Sequence, residues 1–145
     1  MKFIKTTTAI VIATFMGVAA MAQKLNSTQV PPVVKASFEK TYPAVKTVKW
    51  EKEKDDFEAG FKQGGNEMSA VFKADGTQLE SELEIKPTGL PAPVLAYVKQ
   101  NYKGAVIKEA AKITKANGEV NYEAEIKGKD LLFDSNGKFI KIAQD

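Results

Sequence analysis

Histidine, cysteine and arginine are all missing from this 145-residue chain, and each absence removes a class of chemistry. Without His or Cys there can be no Ser-His or Cys-His nucleophile, no imidazole or thiolate zinc site and no disulfide. Stability in an oxidising compartment must then come from packing. All 21 basic residues are lysine, so the planar fork that suits phosphates and base edges is lacking, and the lysines are scattered rather than clustered. That pattern argues against nucleic acid as a partner.

The amino terminus carries an export address. Lys2 and Lys5 precede an uncharged stretch from Thr6 to Ala22 that closes in Ala20-Met21-Ala22, which predicts a signal peptide over residues 1–22 cleaved before Gln23. The stretch is short and interrupted by Thr and Gly, which disfavours a retained membrane helix. No cysteine follows the cleavage point to take a lipid anchor. The expectation is a periplasmic or secreted protein with no membrane insertion, its residues 23–145 forming one domain in which 19 lysines face 18 acids.

That domain is written twice. Pro31, Val34, Phe38, Tyr42 and Ala44 return as Pro91, Val94, Val98, Tyr102 and Gly104, each 60 positions later. Phe57-Glu58-Ala59-Gly60-Phe61 returns as Tyr122-Glu123-Ala124-Glu125-Ile126, and Phe72…Asp75-Gly76…Leu79 returns as Phe133…Asn136-Gly137…Ile140. The displacements differ by a few residues, which confines length changes to loops. The repeats span residues 30–85 and 90–145. In each, proline opens a helix whose apolar residues recur every four positions, and Pro43 or Gly104 ends it.

Between the helices the period falls to two. Val48 and Trp50, then Phe57, Ala59 and Phe61, then Met68, Ala70 and Phe72, then Leu79, Leu83 and Ile85 alternate with polar neighbours, as strands do. Asp75-Gly76 predicts a two-residue hairpin turn that pairs Phe72 with Leu79 and Ala70 with Ser81. A turn at Lys54-Asp55 places Trp50 beside Ala59. In the second repeat, Asn136-Gly137 pairs Phe133 with Ile140, Gly128-Lys129 pairs Ile126 with Leu131 and Ala124 with Phe133, and Asn117-Gly118 pairs Tyr122 with Ile113. Glu109 falls where the first repeat has Val48, which predicts a bulge near Lys108 or an edge position. The expected fold is α+β: tandem helix-plus-four-strand repeats forming an antiparallel sheet with both helices on one face.

The order of these signals, a Pro-initiated helix ending in Tyr, a Val-x-Trp strand, Phe/Tyr-Glu-Ala and Phe-x-x-Asp/Asn-Gly, resembles the beta-lactamase-inhibitor-like, PepSY-like family of exported bacterial proteins. The resemblance covers both repeats. It implies the beta-lactamase inhibitor protein fold and a non-catalytic role. The second repeat departs from the pattern by lacking the tryptophan, with Ala111 facing Ala124 where Trp50 faces Ala59.

Several residues could carry function. Trp50 could anchor a partner, although its pairing with the small Ala59 equally suits a side chain that fills the core. Leu132 and Phe139 are expected as neighbours on the outward face among charges, with Val71 as the first-repeat counterpart of Leu132; such an apolar island suits partner contact. Glu80, Glu82 and Glu84 share the outward face of one strand, and Glu123 and Glu125 that of another. A solvated surface, weak cation binding and paired carboxylates for glycoside hydrolysis are all compatible with them. Asp134-Ser135-Asn136-Gly137 resembles the opening of a calcium loop, but its twelfth position is the terminal Asp145, and a hairpin turn explains the same residues. Neither a cofactor nor a metal site is expected. The leading expectation is a non-catalytic binding or inhibitor-like module contacting an extracytoplasmic protein through the open sheet face; the alternative is a small-ligand or cation carrier using the acidic outward face.

Overall fold

Proline fixes φ and lacks only a donor that a helix's first turn leaves unused, and both α-helices carry proline at the cap and in the first turn. In the computed structural model, which describes residues 22–143, α1 spans Pro32–Thr41 and α2 spans Ala92–Asn101, with Pro31 and Pro91 at the caps. The expected signal peptide falls largely on residues 1–21, outside the described residues. A short 3-10 turn precedes each helix, at Ser27–Gln29 and Pro87–Gly89.

Four strands follow each helix: β2 (Val48–Glu53), β3 (Asp56–Gln63), β4 (Asn66–Phe72) and β5 (Gln78–Ile85) after α1, then β6 (Ile107–Lys115), β7 (Val120–Ile126), β8 (Lys129–Asp134) and β9 (Phe139–Ala143) after α2. A further three-residue strand, β1 (Gln23–Leu25), pairs antiparallel with β2 and was not signalled by any alternation. Among the described residues these form one sheet of nine antiparallel strands in chain order.

The register matches the sequence expectation in the first hairpins and departs from it where the turns differ. Trp50 opposes Ala59, Ala59 opposes Ala70 and Phe61 opposes Met68, as the alternation predicts. At Asp75-Gly76, however, only Gly76 takes positive φ (88°), and the loop closes through Lys73 N to Thr77 O and Gly76 N to Lys73 O. This is a longer loop than a two-residue turn. Phe72 therefore opposes Gln78, and the extra residue, Leu79, is absorbed in a bulge that restores Ala70 to Ser81.

The same correction applies at Asn136-Gly137, where Phe133 opposes Phe139 rather than Ile140. At Asn117-Gly118 the longer loop is not offset until Lys108, so Ala110 opposes Ala124 and Ile113 opposes Asn121. A shift of one residue moves side chains to the other face, and Ala111 and Ile113 are moved in this way. The irregularity between Ile107 and Glu109 is the expected bulge. Finally, Lys127 and Gly128 both take positive φ (48° and 72°), so the turn lies one residue earlier than expected; Ile126 opposes Lys129 and Ala124 opposes Leu131.

Each helix packs on its own half of the sheet. Val34 and Phe38 of α1 bury against Trp50, Ala59, Phe61, Ala70 and Phe72, while Val94 and Val98 of α2 bury against Ala110, Ala124, Ile126, Leu131 and Phe133. Phe38 lies 5.5 Å from Trp50 and 5.1 Å from Phe61, both edge to face, an arrangement that aromatic quadrupoles favour. The second half has no tryptophan and fills the space differently. Tyr97, at the position of Ser37 in α1, stacks on Phe139 at 4.8 Å and meets Phe133 at 5.4 Å.

Two candidate contact residues thus pack with the core clusters. Trp50 is only 4% exposed and is a core residue. Phe139 is not outward: the bulge at Ile140 turns it toward Tyr97 and Phe133, and Ile140 takes the exposed position instead.

Candidate functional site

Strand residues alternate between two faces, so in each repeat the positions skipped by its core cluster point away from its own helix. Pairing draws three rows across them. Glu51, Glu58, Val71, Glu80 and Lys115 form one row. Lys49, Gly60, Ser69, Glu82, Ile113, Asn121 and Asp134 form the next. Glu84, Ala111, Glu123, Leu132 and Lys141 form the third. Val71 and Leu132 thus occupy the expected face, Val71 between Glu58 and Glu80 and Leu132 between Glu123 and Lys141, and both are half-buried.

This face is not the solvated charged surface that its composition predicts. Glu82 is 2% exposed, Glu80 5% and Glu123 8%, and Ala111 and Ile113 are buried there without belonging to either core cluster. The one-residue shift at Asn117-Gly118 explains much of the difference, because it delivers Ile113 and Ala111 to the centre of the acidic face. Burial is graded along β5: Glu80 and Glu82 are buried and Glu84 is exposed.

Crowding and desolvation set the electrostatics. Burial pushes the Glu58 carboxyl up to about 7; Ser69 pulls the other way, and Glu51, Glu53 and Glu80 add smaller increments to the rise. Burial also holds Glu82 well above the usual carboxylate range, reinforced by Glu123, Glu58, Glu80 and Asp130. Removing a carboxylate from water disfavours its charged form, and like charges nearby add to that. Lys115 Nζ bridges to Glu80 Oε2 at 3.3 Å. No such partner reaches Glu82: both its carboxyl oxygens are buried without a hydrogen bond, and the Ser69 hydroxyl opposite bears on Glu58 instead.

Other expected chemistries have structural explanations. Asp134 Oδ1 accepts the backbone N–H groups of Asn136 and Lys138, both at 2.9 Å, so the calcium-like sequence is a hairpin turn that uses its own carboxylate. Among the described residues no three acidic side chains converge closely enough to hold a metal ion. No helix of the described residues is long and apolar enough to cross a membrane.

Comparison with known proteins agrees with this architecture. The structure is similar to that of a DUF2874 family protein from Bacteroides uniformis, with a TM-score of 0.71 and 18% identity over 77% of this chain and 87% of that one. It is also similar to a "BLIP-like" protein from Bacteroides fragilis, with a TM-score of 0.61 and 22% identity over 79% and 89%. A third similar structure, from Bacteroides eggerthii and described as "putative periplasmic", gives a TM-score of 0.72 at 16% identity over 78% and 87%. At these identities the likeness shows the fold. No curated protein matches the chain. The family model described as "Putative beta-lactamase-inhibitor-like, PepSY-like" matches twice, over residues 15–77 and 55–141, and the chain belongs to that family.

Proposed function

We propose that this protein is an exported, non-catalytic binding module that docks a partner protein outside the cytoplasm through the acidic face of its sheet. Its tandem repeats make one domain, with both helices on the opposite face. The register supports that arrangement, since Ala70 opposes Ser81, Ser81 opposes Thr114, and the alternate residues Lys112 and Ala110 lead to Tyr122 and Ala124. Export is supported by the Lys2, Lys5 and Ala20-Met21-Ala22 pattern and by the periplasmic description of a structural relative.

The observation that carries the reading is the juxtaposition of buried acids with apolar side chains on the face away from the core clusters. Val71 lies beside Glu58 and Glu80, and Leu132 beside Glu123, a mixture suited to an interface whose apolar contacts give affinity and whose charges select the partner.

The test is photo-crosslinking in cells that make the exported protein. A photoreactive residue at Val71 or at Leu132 should yield a discrete adduct that one at Leu95, exposed on α2, does not. Adducts from Leu95 alone would refute the assignment of the face. A second reading, a carrier of small cations, is favoured by the unpartnered oxygens of Glu82; calcium-dependent melting abolished by Glu80→Gln and Glu82→Gln would support it.

A further inference from the structure

We propose that the open edge of β9 is the surface through which two copies of this chain join, strand against strand, into one continuous sheet. Among the described residues β9 is hydrogen-bonded to β8 alone, and no strand lies beyond it. Such an edge presents a row of backbone N–H and C=O groups, and another strand is what satisfies them. The side chains make this edge receptive. Ile140 and Ile142 are two of the five exposed large apolar residues among the described ones, and both belong to this five-residue strand.

Opposed residues of an antiparallel pair share a face, which places each side chain of β9. Ile142 opposes Leu131 and Phe139 opposes Phe133, both residues of the core beneath α2, so Ile142 and Phe139 stand on the helix side. The bulge sets Ile140 and Lys141 together between them on the acidic side, where Lys141 opposes Leu132. The edge thus carries an exposed isoleucine on each face. A strand laid along it covers both, whereas a loop or helix packed on one face leaves the other isoleucine and the backbone row in water.

The pattern of β9 is complementary to itself. A two-fold axis normal to the sheet runs two copies of the strand antiparallel and keeps helix side with helix side. Phe139 then faces the partner's Ile142, and Ile140 faces the partner's Lys141, whose methylene stem covers it. The neighbouring register, with Lys141 against the partner's Lys141, opposes like charges and sets Phe139 against the small side chain of the partner's Ala143. The far edge of the sheet is a poorer candidate: β1 has three residues, Gln23 and Lys24 are exposed polar ones, and Leu25 packs against the first core cluster. A contact of β1 with β9 would also leave an edge of each kind free and would not close. Five residues a side bury little area, so the dimer should be reversible, with a Kd on the order of 10–100 μM. The same axis leaves both acidic faces on one side of the joined sheet, which would present the docking face twice. The pairing itself stands on β9 and does not depend on the docking reading.

Sedimentation equilibrium of the exported protein from about 5 μM to about 1 mM, a range spanning that Kd, tests the pairing. The average mass should climb from one chain to two and level there. Ile142→Lys should weaken association at least tenfold, and the double variant Ile140→Lys, Ile142→Lys should abolish it; amide spectra with native dispersion establish that each is folded. Isotope-filtered NMR on mixed labelled and unlabelled chains should show contacts between Ile142 methyls and the Phe139 ring of the other copy. Within one chain these residues stand three positions apart along the strand, about 10 Å, too far for such a contact.

A single-chain mass at every concentration, association unchanged in the double variant, mass growing past two chains, or intermolecular contacts from Leu95 of α2 in place of β9 would each overturn the proposal. Crosslinking from Val71 and Leu132 reads the docking face separately. A monomer that still gives those adducts loses the dimer and keeps the docking face; a dimer without them does the reverse.

Discussion

Raising the pH from 5 to 8 should destabilise this protein, although most proteins gain or hold stability over that range. Glu58 carries an ordinary carboxyl value of 4.5 when unfolded and about 7 in the fold, where burial disfavours its charge. Between those two values the folded state holds the proton and the unfolded state has released it. The unfolded state thus binds fewer protons, and stability must fall as pH rises through the window. The contribution of Glu58 is fully present below about pH 4 and is lost by pH 8. At 1.36 kcal/mol for each tenfold difference in proton affinity, the loss from pH 5 to pH 8 is about 2 to 3 kcal/mol. For a domain of this size that corresponds to a fall in Tm on the order of 10 °C. Glu82, also raised by burial, acts in the same direction. Thermal melts followed by circular dichroism at fixed ionic strength between pH 4 and 9 measure the effect, and Glu58→Gln should flatten the slope. A Tm that stays constant or rises from pH 5 to 8, with the same profile in Glu58→Gln, would refute the reasoning.

Three further outcomes are expected. The double variant Ser69→Ala, Glu82→Leu should be more stable than the wild type at pH 8 by about 1–3 kcal/mol in urea unfolding, because it removes orphaned buried oxygens rather than a satisfied pair. Phe139→Asp should lose about 2–4 kcal/mol, since it places a charge against Tyr97 and Phe133, whereas Ile140→Asp should cost less than about 0.5 kcal/mol. Gly137→Ala should destabilise by at least about 1 kcal/mol more than Gly104→Ala in the same assay. Both sites have positive φ, but a Cβ at Gly137 would lie 2.9 Å from Pro93 Cβ, while nothing lies within 4 Å at Gly104.

The helices and the first hairpins were legible because their signals are local and redundant. Proline at the cap with Val34 and Phe38 one turn apart describes a helix face, and Trp50 beside Ala59 follows from simple alternation. The acidic face was legible as a set of residues and illegible as an environment. Its burial depends on register, and the register depends on whether an Asp-Gly or Asn-Gly pair closes a two-residue turn or ends a longer loop. Those loops share the same dipeptides, so sequence alone does not separate them. One residue of difference at Asn117-Gly118 moved Ile113 and Ala111 onto the acidic face, and one at Asn136-Gly137 turned Phe139 toward α2. Tyr97 gave a usable signal: it replaces Ser37 in the half that lacks tryptophan, which points to a core refilled from the helix. The absence of a donor for Glu82 has no counterpart in the sequence, because it is a property of three dimensions.

Carbon-13 NMR titration of the Glu58 and Glu82 side-chain carboxyls tests the buried acidic face most directly. Glu58 should titrate with a midpoint near 7 and Glu82 well above the ordinary 4.5. Midpoints of 4 to 5 for both would place these carboxyls in water and contradict the account.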